Sequence, residues 1–186
     1  MAMPYAAPQF TIADLDRFPD DGNRYELLGG QLLVTPAPGP HHQLVLGRLV
    51  MRLAGYLGPE GPSVIVTPGV IQLENHTQLE PDLLVVPAGL MDETSWRRIT
   101  GWWLAVEVSG RASKVYDRDF KRDAYLRLGV REVWRVDLID RRVYRSRPGE
   151  VNEVPWSDHL RWHPPEMAAA LVLPVPTLFG PPRPVT

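Results

Sequence analysis

The sequence predicts a mixed β-sheet with helices packed on it, an α/β or α+β single domain. Three observations lead there. Apolar runs of strand length recur along the chain, two segments between them carry helical periodicity, and glycine- or proline-containing turns separate the elements. A chain of 186 residues with 44% hydrophobic content is long enough to bury a core of this kind.

Thr11 followed by Asp14 opens a short helix over 12–18 as an N-cap signature. Two runs, 25–28 and 31–35, flank Gly29-Gly30 and read as a tight hairpin, completing an N-terminal unit over 10–35. The stretch Pro36-Ala-Pro-Gly-Pro40 stops the second strand. From His42 to Leu57, apolar residues at 46, 49, 50, 53 and 57 predict an amphipathic helix closed by Gly58. Strands are predicted at 63–67, 69–74, 82–87 and 102–108. Asp117 is the expected cap of a helix with Phe120, Ala124 and Leu128 on its apolar stripe and Gly129 at its end. A strand pair at 132–138 and 142–146 completes a core over 40–147. Residues 148–186, with six prolines up to Pro176, read as a Pro-rich tail holding one apolar run, 168–175.

The chain has no cysteine, which excludes a disulfide framework and a thiolate zinc site. Its start lacks the regions of a signal peptide, and no apolar run approaches the roughly 20 residues of a membrane span, so a cytoplasmic location is expected. The formal charge of −2 argues against binding nucleic acid by bulk charge, yet residues 111–147 hold twelve basic and six acidic side chains. That net +6 is compatible with a phosphate-bearing substrate, and equally with a solvated surface. Lys114 and Lys121 are the only lysines; the other eighteen basic residues are arginine.

Asp82 and Glu107 stand in otherwise apolar runs, where an unpaired carboxylate costs several kcal/mol. A hairpin turning near residues 94 and 95 brings Asp82 opposite Glu107, so that two carboxylates share one site and repel each other unless a cation lies between them. Hydrolysis of a phosphodiester needs an activated water and neutralised phosphoryl oxygens. Mg²⁺ or Mn²⁺ on two carboxylates provides both, and a lysine such as Lys121 adds fixed positive charge.

These residues carry a resemblance. Pro81-Asp82, the run from Ala105 to Ser109, Tyr116-Asp117-Arg118 with Lys121 and Tyr125, and the segment from Gly129 to Asp137 resemble bacterial restriction endonucleases of the Uma-two type, within the PD-(D/E)xK nuclease superfamily. Arg24 to Gly30 and Pro36 to Gln43 share in it, so it extends over residues 10 to 145. The resemblance implies a restriction-endonuclease-like mixed central sheet flanked by helices. It also implies Mg²⁺-dependent cleavage of DNA, Asp82 and Glu107 as metal ligands, and Glu26 as an assisting N-terminal acid. Ser109 holds the place of the usual lysine two residues after the glutamate, and the lysine of the following helix, Lys121, is its implied replacement. Gln31 and Gly110-Arg111-Ala112 depart from the family pattern.

Other polar residues read more plainly. His41 and His42 precede a helix, as caps or as residues approaching the site, without zinc-ligand spacing; Tyr125 reads as packing, and Gln72 is a candidate to face the site. Trp96, Trp156 and Trp162 fall in predicted loops and offer material for a homodimer interface. The resulting expectation is a Mg²⁺-dependent endonuclease in which replacing Lys121 leaves the fold intact. A catalytically silent nucleic-acid-binding or interaction module and a hydrolase of small phosphate esters are the alternatives.

Overall fold

A computed structural model describes residues 9–90, 92–110 and 120–180; Lys114 and the expected cap Asp117 lie outside the described residues. The architecture is mixed α+β. Its main sheet has six strands, β3 (Ser63–Val66), β6 (Leu83–Pro87), β7 (Leu104–Ser109), β8 (Val133–Asp137), β9 (Arg142–Ser146) and β10 (Val154–Trp156), in the order β10-β9-β8-β7-β6-β3. Only β7 and β8 run parallel, because the chain between them crosses over through helix α3 (Arg122–Arg127) rather than through a tight turn.

A second sheet, in the order β2-β1-β5-β4, joins β1 (Arg24–Leu28) and β2 (Gln31–Thr35) to β4 (Ile71–Leu73) and β5 (Thr77–Leu79). The β1–β2 turn uses Gly29 and Gly30, both at positive φ (57° and 80°), as a two-residue hairpin loop demands. The sequence predicts a single strand over 69–74 there. The chain instead turns at Glu74, also at positive φ, and returns as β5, whose three residues are too short and polar to announce a strand.

Helix α1 (Ile12–Leu15) is shorter than its predicted span and keeps the Thr11–Asp14 capping box. Helix α2 (Pro40–Leu57) begins two residues earlier than expected, with Pro40 in its first turn. Residues 154–179, read as part of a Pro-rich tail, instead form β10, the hairpin β11 (His159–Trp162) with β12 (Leu171–Pro174), and helix α4 (Pro176–Phe179). Their apolar residues are spaced too thinly between prolines to show a period, but Leu160, Trp162, Leu173, Leu178 and Phe179 are core.

The main sheet is covered on both faces. One face carries Leu83, Val85, Leu104, Val106, Val108, Trp134 and Val136, packed against Val45, Leu49 and Leu53 of α2 and the C-terminal residues just named. The other carries Leu84, Val86, Ala105 and Val133, packed against Ala124 and Tyr125 of α3 and Ile71 and Leu79 of the second sheet. Alternation along each strand therefore assigns Asp82 and Glu107 to this second face. Among the described residues, no helix is long and apolar enough to cross a membrane.

The packing of α2 yields a first prediction. Leu49→Ala removes a fully buried side chain between helix and sheet and should cost about 2–5 kcal/mol of unfolding free energy in urea. Met51→Ala, on the exposed side of the same helix, should stay within about 0.5 kcal/mol.

Candidate active site

Strands β6 and β7 pair with Leu83 opposite Val106, and one step further along this register Asp82 stands opposite Glu107. Both side chains are buried, and both line one cavity of about 290 Å³. The hairpin expectation and the shared face therefore hold.

Lys121 stands at the entrance of α3 and is 1% exposed. Its Nζ lies 2.6 Å from Glu26 Oε2 and donates to Glu107 Oε1 at 3.3 Å. Of the predicted apolar stripe, Ala124 is buried and Leu128 packs against the core, and only Phe120 departs from it. Phe120 is exposed, while Lys121, Ala124 and Tyr125 point inward. One helical turn after Lys121, the Tyr125 hydroxyl donates to the same Glu107 oxygen at 2.5 Å, so Tyr125 is a ligand of the site acid as well as packing. Glu26, in β1, is fully buried; its Oε1 accepts the backbone N–H of Glu80 at 2.7 Å. All four residues singled out in the sequence thus converge, with Glu26 behind Lys121 and not among the residues lining the cavity.

Two further side chains meet there. Arg24, two residues before Glu26 and so on the same side of β1, donates from Nη2 to Asp82 Oδ1 at 3.0 Å and from Nη1 to the Glu80 carbonyl at 2.8 Å. His42, in the first turn of α2, places Nε2 2.9 Å from Asp82 Oδ2, which also accepts the Val108 N–H at 2.8 Å. Burial works against ionisation of Asp82 and is the largest single influence on it. His42, Arg24 and the Val108 N–H together outweigh burial and hold the carboxyl below the usual range. Burial likewise raises Glu80, and the neighbouring Glu26 charge adds to this. The two site carboxylates are therefore already matched by side chains of this chain, Asp82 by Arg24 and His42 and Glu107 by Lys121, which corrects the expectation of unrelieved repulsion.

The donor set suits a hard divalent cation. Among the described residues no group of three or more His, Cys, Asp or Glu forms a ready-made ligand cage. Two carboxylates opening on one cavity, with the rest of the shell left to water and phosphate oxygens, is the arrangement Mg²⁺ favours.

Sequence reasoning left His42 between capping α2 and approaching the site and did not single out Arg24; their types are common, and only the contact of β1 and α2 with Asp82 places them. Gln72 does not face the site: it donates to Gln78 within the second sheet. Arg111, Lys114 and Arg118 of the basic segment lie outside the described residues, and the described members divide between ion pairs and solvent. Arg122 pairs with Asp123, Arg135 with Asp137 and Glu153, Arg145 with Glu150 and Arg147 with Glu132, while Arg127, Arg131 and Arg142 are exposed.

The burial of Lys121 also corrects the expectation that its loss spares the fold. Lys121→Met would strand Glu26 and Glu107 as uncompensated buried acids, so a loss of about 3–5 kcal/mol in urea unfolding at pH 7 is expected. Adding Glu26→Gln should recover part of it. A single-variant loss below about 1 kcal/mol would show that the ammonium is solvated in solution.

Comparisons with known proteins bear on the fold and the family. No curated protein matches the sequence. The structure is similar to the crystal structure of a putative nuclease belonging to DUF820 from Anabaena variabilis ATCC 29413, with 16% sequence identity, a TM-score of 0.69, and coverage of 91% of this chain and 97% of that one. At that identity the likeness shows the fold. The sequence model of the family described as Uma2, "Putative restriction endonuclease", matches residues 12–176, nearly the whole length of the chain, and the chain therefore belongs to that family.

Proposed function

We propose that this protein is a nuclease that hydrolyses phosphodiester bonds in DNA with Mg²⁺ or Mn²⁺, its metal ligands being Asp82 and Glu107. The observation that carries the reading is the placement of these two acids on one face of adjacent strands, at one cavity, with a buried lysine bonded to the second acid. A divalent cation at such a site neutralises phosphoryl charge and lowers the pKa of a bound water.

The remaining work falls to the chain itself. Lys121 holds a fixed positive charge at the floor of the cavity, where low dielectric strengthens its effect on charge developing at the phosphate. Glu26 acts through Lys121, orienting the ammonium from behind, and is better described as a positioning residue than as a catalytic one. Tyr125 fixes the rotamer of Glu107. Family membership supports DNA as the substrate.

Purified protein should nick or linearise plasmid DNA with Mg²⁺ or Mn²⁺, and Asp82→Asn or Glu107→Gln should lower the rate by on the order of a hundredfold or more. Saturating Mn²⁺ should raise stability by about 2.7 kcal/mol at a hundred times Kd, read as a thermal shift that Asp82→Asn reduces. A folded protein that binds Mn²⁺ but cleaves neither duplex, single-stranded DNA nor RNA would identify a catalytically silent nucleic-acid-binding module instead.

Cutting both strands with one site per chain is simplest for a two-fold homodimer, which forms part of the proposal. Of the three tryptophans expected at an interface, Trp162 is core against Trp134, Trp156 is half-buried with Arg145 over its ring, and Trp96 alone is exposed. Sedimentation equilibrium at micromolar concentration should give twice the 21.0 kDa chain mass. A single species at the chain mass across micromolar concentrations would reject the dimer.

A further inference from the structure

We infer that Arg24 is an internal counter-cation which holds Asp82 Oδ1 in the metal-free protein and competes with a divalent ion for that oxygen, an inference that rests on the metal-site reading above. The two oxygens of Asp82 are held differently. Oδ2 accepts from His42 Nε2 and from the Val108 backbone N–H, contacts that tie it to α2 and β7. Oδ1 is held by Arg24 Nη2. Arg24 reaches it from a hairpin of the second sheet and is braced by the Glu80 carbonyl two residues before Asp82.

The side chains also differ in their freedom to leave. Lys121 is enclosed between two acids at 1% exposure, whereas the Arg24 side chain is 22% exposed and lines the cavity. A guanidinium there can turn toward solvent without opening the core. A cation arriving at Oδ1 meets a like charge already within hydrogen-bond distance, so both cannot keep their best geometry on one oxygen. Reciprocity then fixes the sign: whatever the Arg24 contact adds to the metal-free protein, it subtracts from the affinity for the metal. His42 and Val108 meanwhile keep the carboxylate aimed through the exchange.

The test is Mn²⁺ titration by calorimetry on the whole chain, with thermal melting of the metal-free protein alongside. Arg24→Met should bind Mn²⁺ about tenfold more tightly than wild type while melting at a lower temperature without metal. Arg24→Lys, which keeps the charge, should remain within about threefold of wild type, and Arg161→Met, on the exposed side of β11, should match it. Should Arg24→Met fail to fold, Arg24→Gln retains a donor for the Glu80 carbonyl and carries the same expectation. Equal or weaker Mn²⁺ affinity in the uncharged variants, with Mn²⁺ still bound by wild type, would overturn the competition and leave the nuclease reading standing. Absence of Mn²⁺ binding by wild type and variants alike would remove both.

Discussion

The contact on which this molecule turns is the buried ammonium of Lys121 between Glu26 and Glu107. It joins three parts of the chain that share no strand pairing: the β1–β2 hairpin, the centre of the main sheet, and the crossover helix α3. Each member is 4% exposed or less, so none of the three charges is relieved by water. Desolvating three ions costs several kcal/mol apiece, and buried ion pairs of this kind are often no more stabilising than well-packed apolar residues of the same volume. Stability alone gives no reason to build the core of the site this way. The proposed nuclease role does, because a group that is to act on a phosphate in the cavity has to be ionised and fixed before the phosphate arrives.

Much of this was legible in the sequence because strand registers are arithmetic. A hairpin turn near 94–95 makes residues summing to 189 face one another, and Leu83 with Val106, then Asp82 with Glu107, obey it. The two-residue Gly29-Gly30 loop was legible for the same reason, since only a primed turn joins such short strands. What was hidden lies where the local signal is weak and tertiary contact decides. Thr77-Gln78-Leu79 has neither length nor alternation to show a strand, and the C-terminal core residues are scattered among prolines. For the face of α3, Ala124 and Leu128 pack as their spacing suggests, but Phe120 at the start of that stripe is exposed; Lys121 and Tyr125 turn inward beside Ala124 because two buried acids meet them there.

The site also explains a division of labour among the basic residues. Of the twenty, eighteen are arginine, and within the described residues the buried Arg135 shows what they can build: it makes a bidentate pair with Glu153, bonds Asp137 and stacks on Tyr144 at 4.1 Å, tying β8 to β9 and to the residue before β10. A planar fork suits such work, since it satisfies several acceptors at once. Between Glu26 and Glu107 the requirement is different. The cation must touch two acids from separate elements at 2.6 and 3.3 Å while filling little space beneath the cavity, and a compact ammonium on a flexible stem meets it. Arginine at that position would bring a bulkier planar fork of five donors to a buried site where the ammonium meets its two acids. The single lysine among the described residues therefore stands where a compact ammonium, rather than the fork this chain uses for Glu153, is what two acids from separate elements call for.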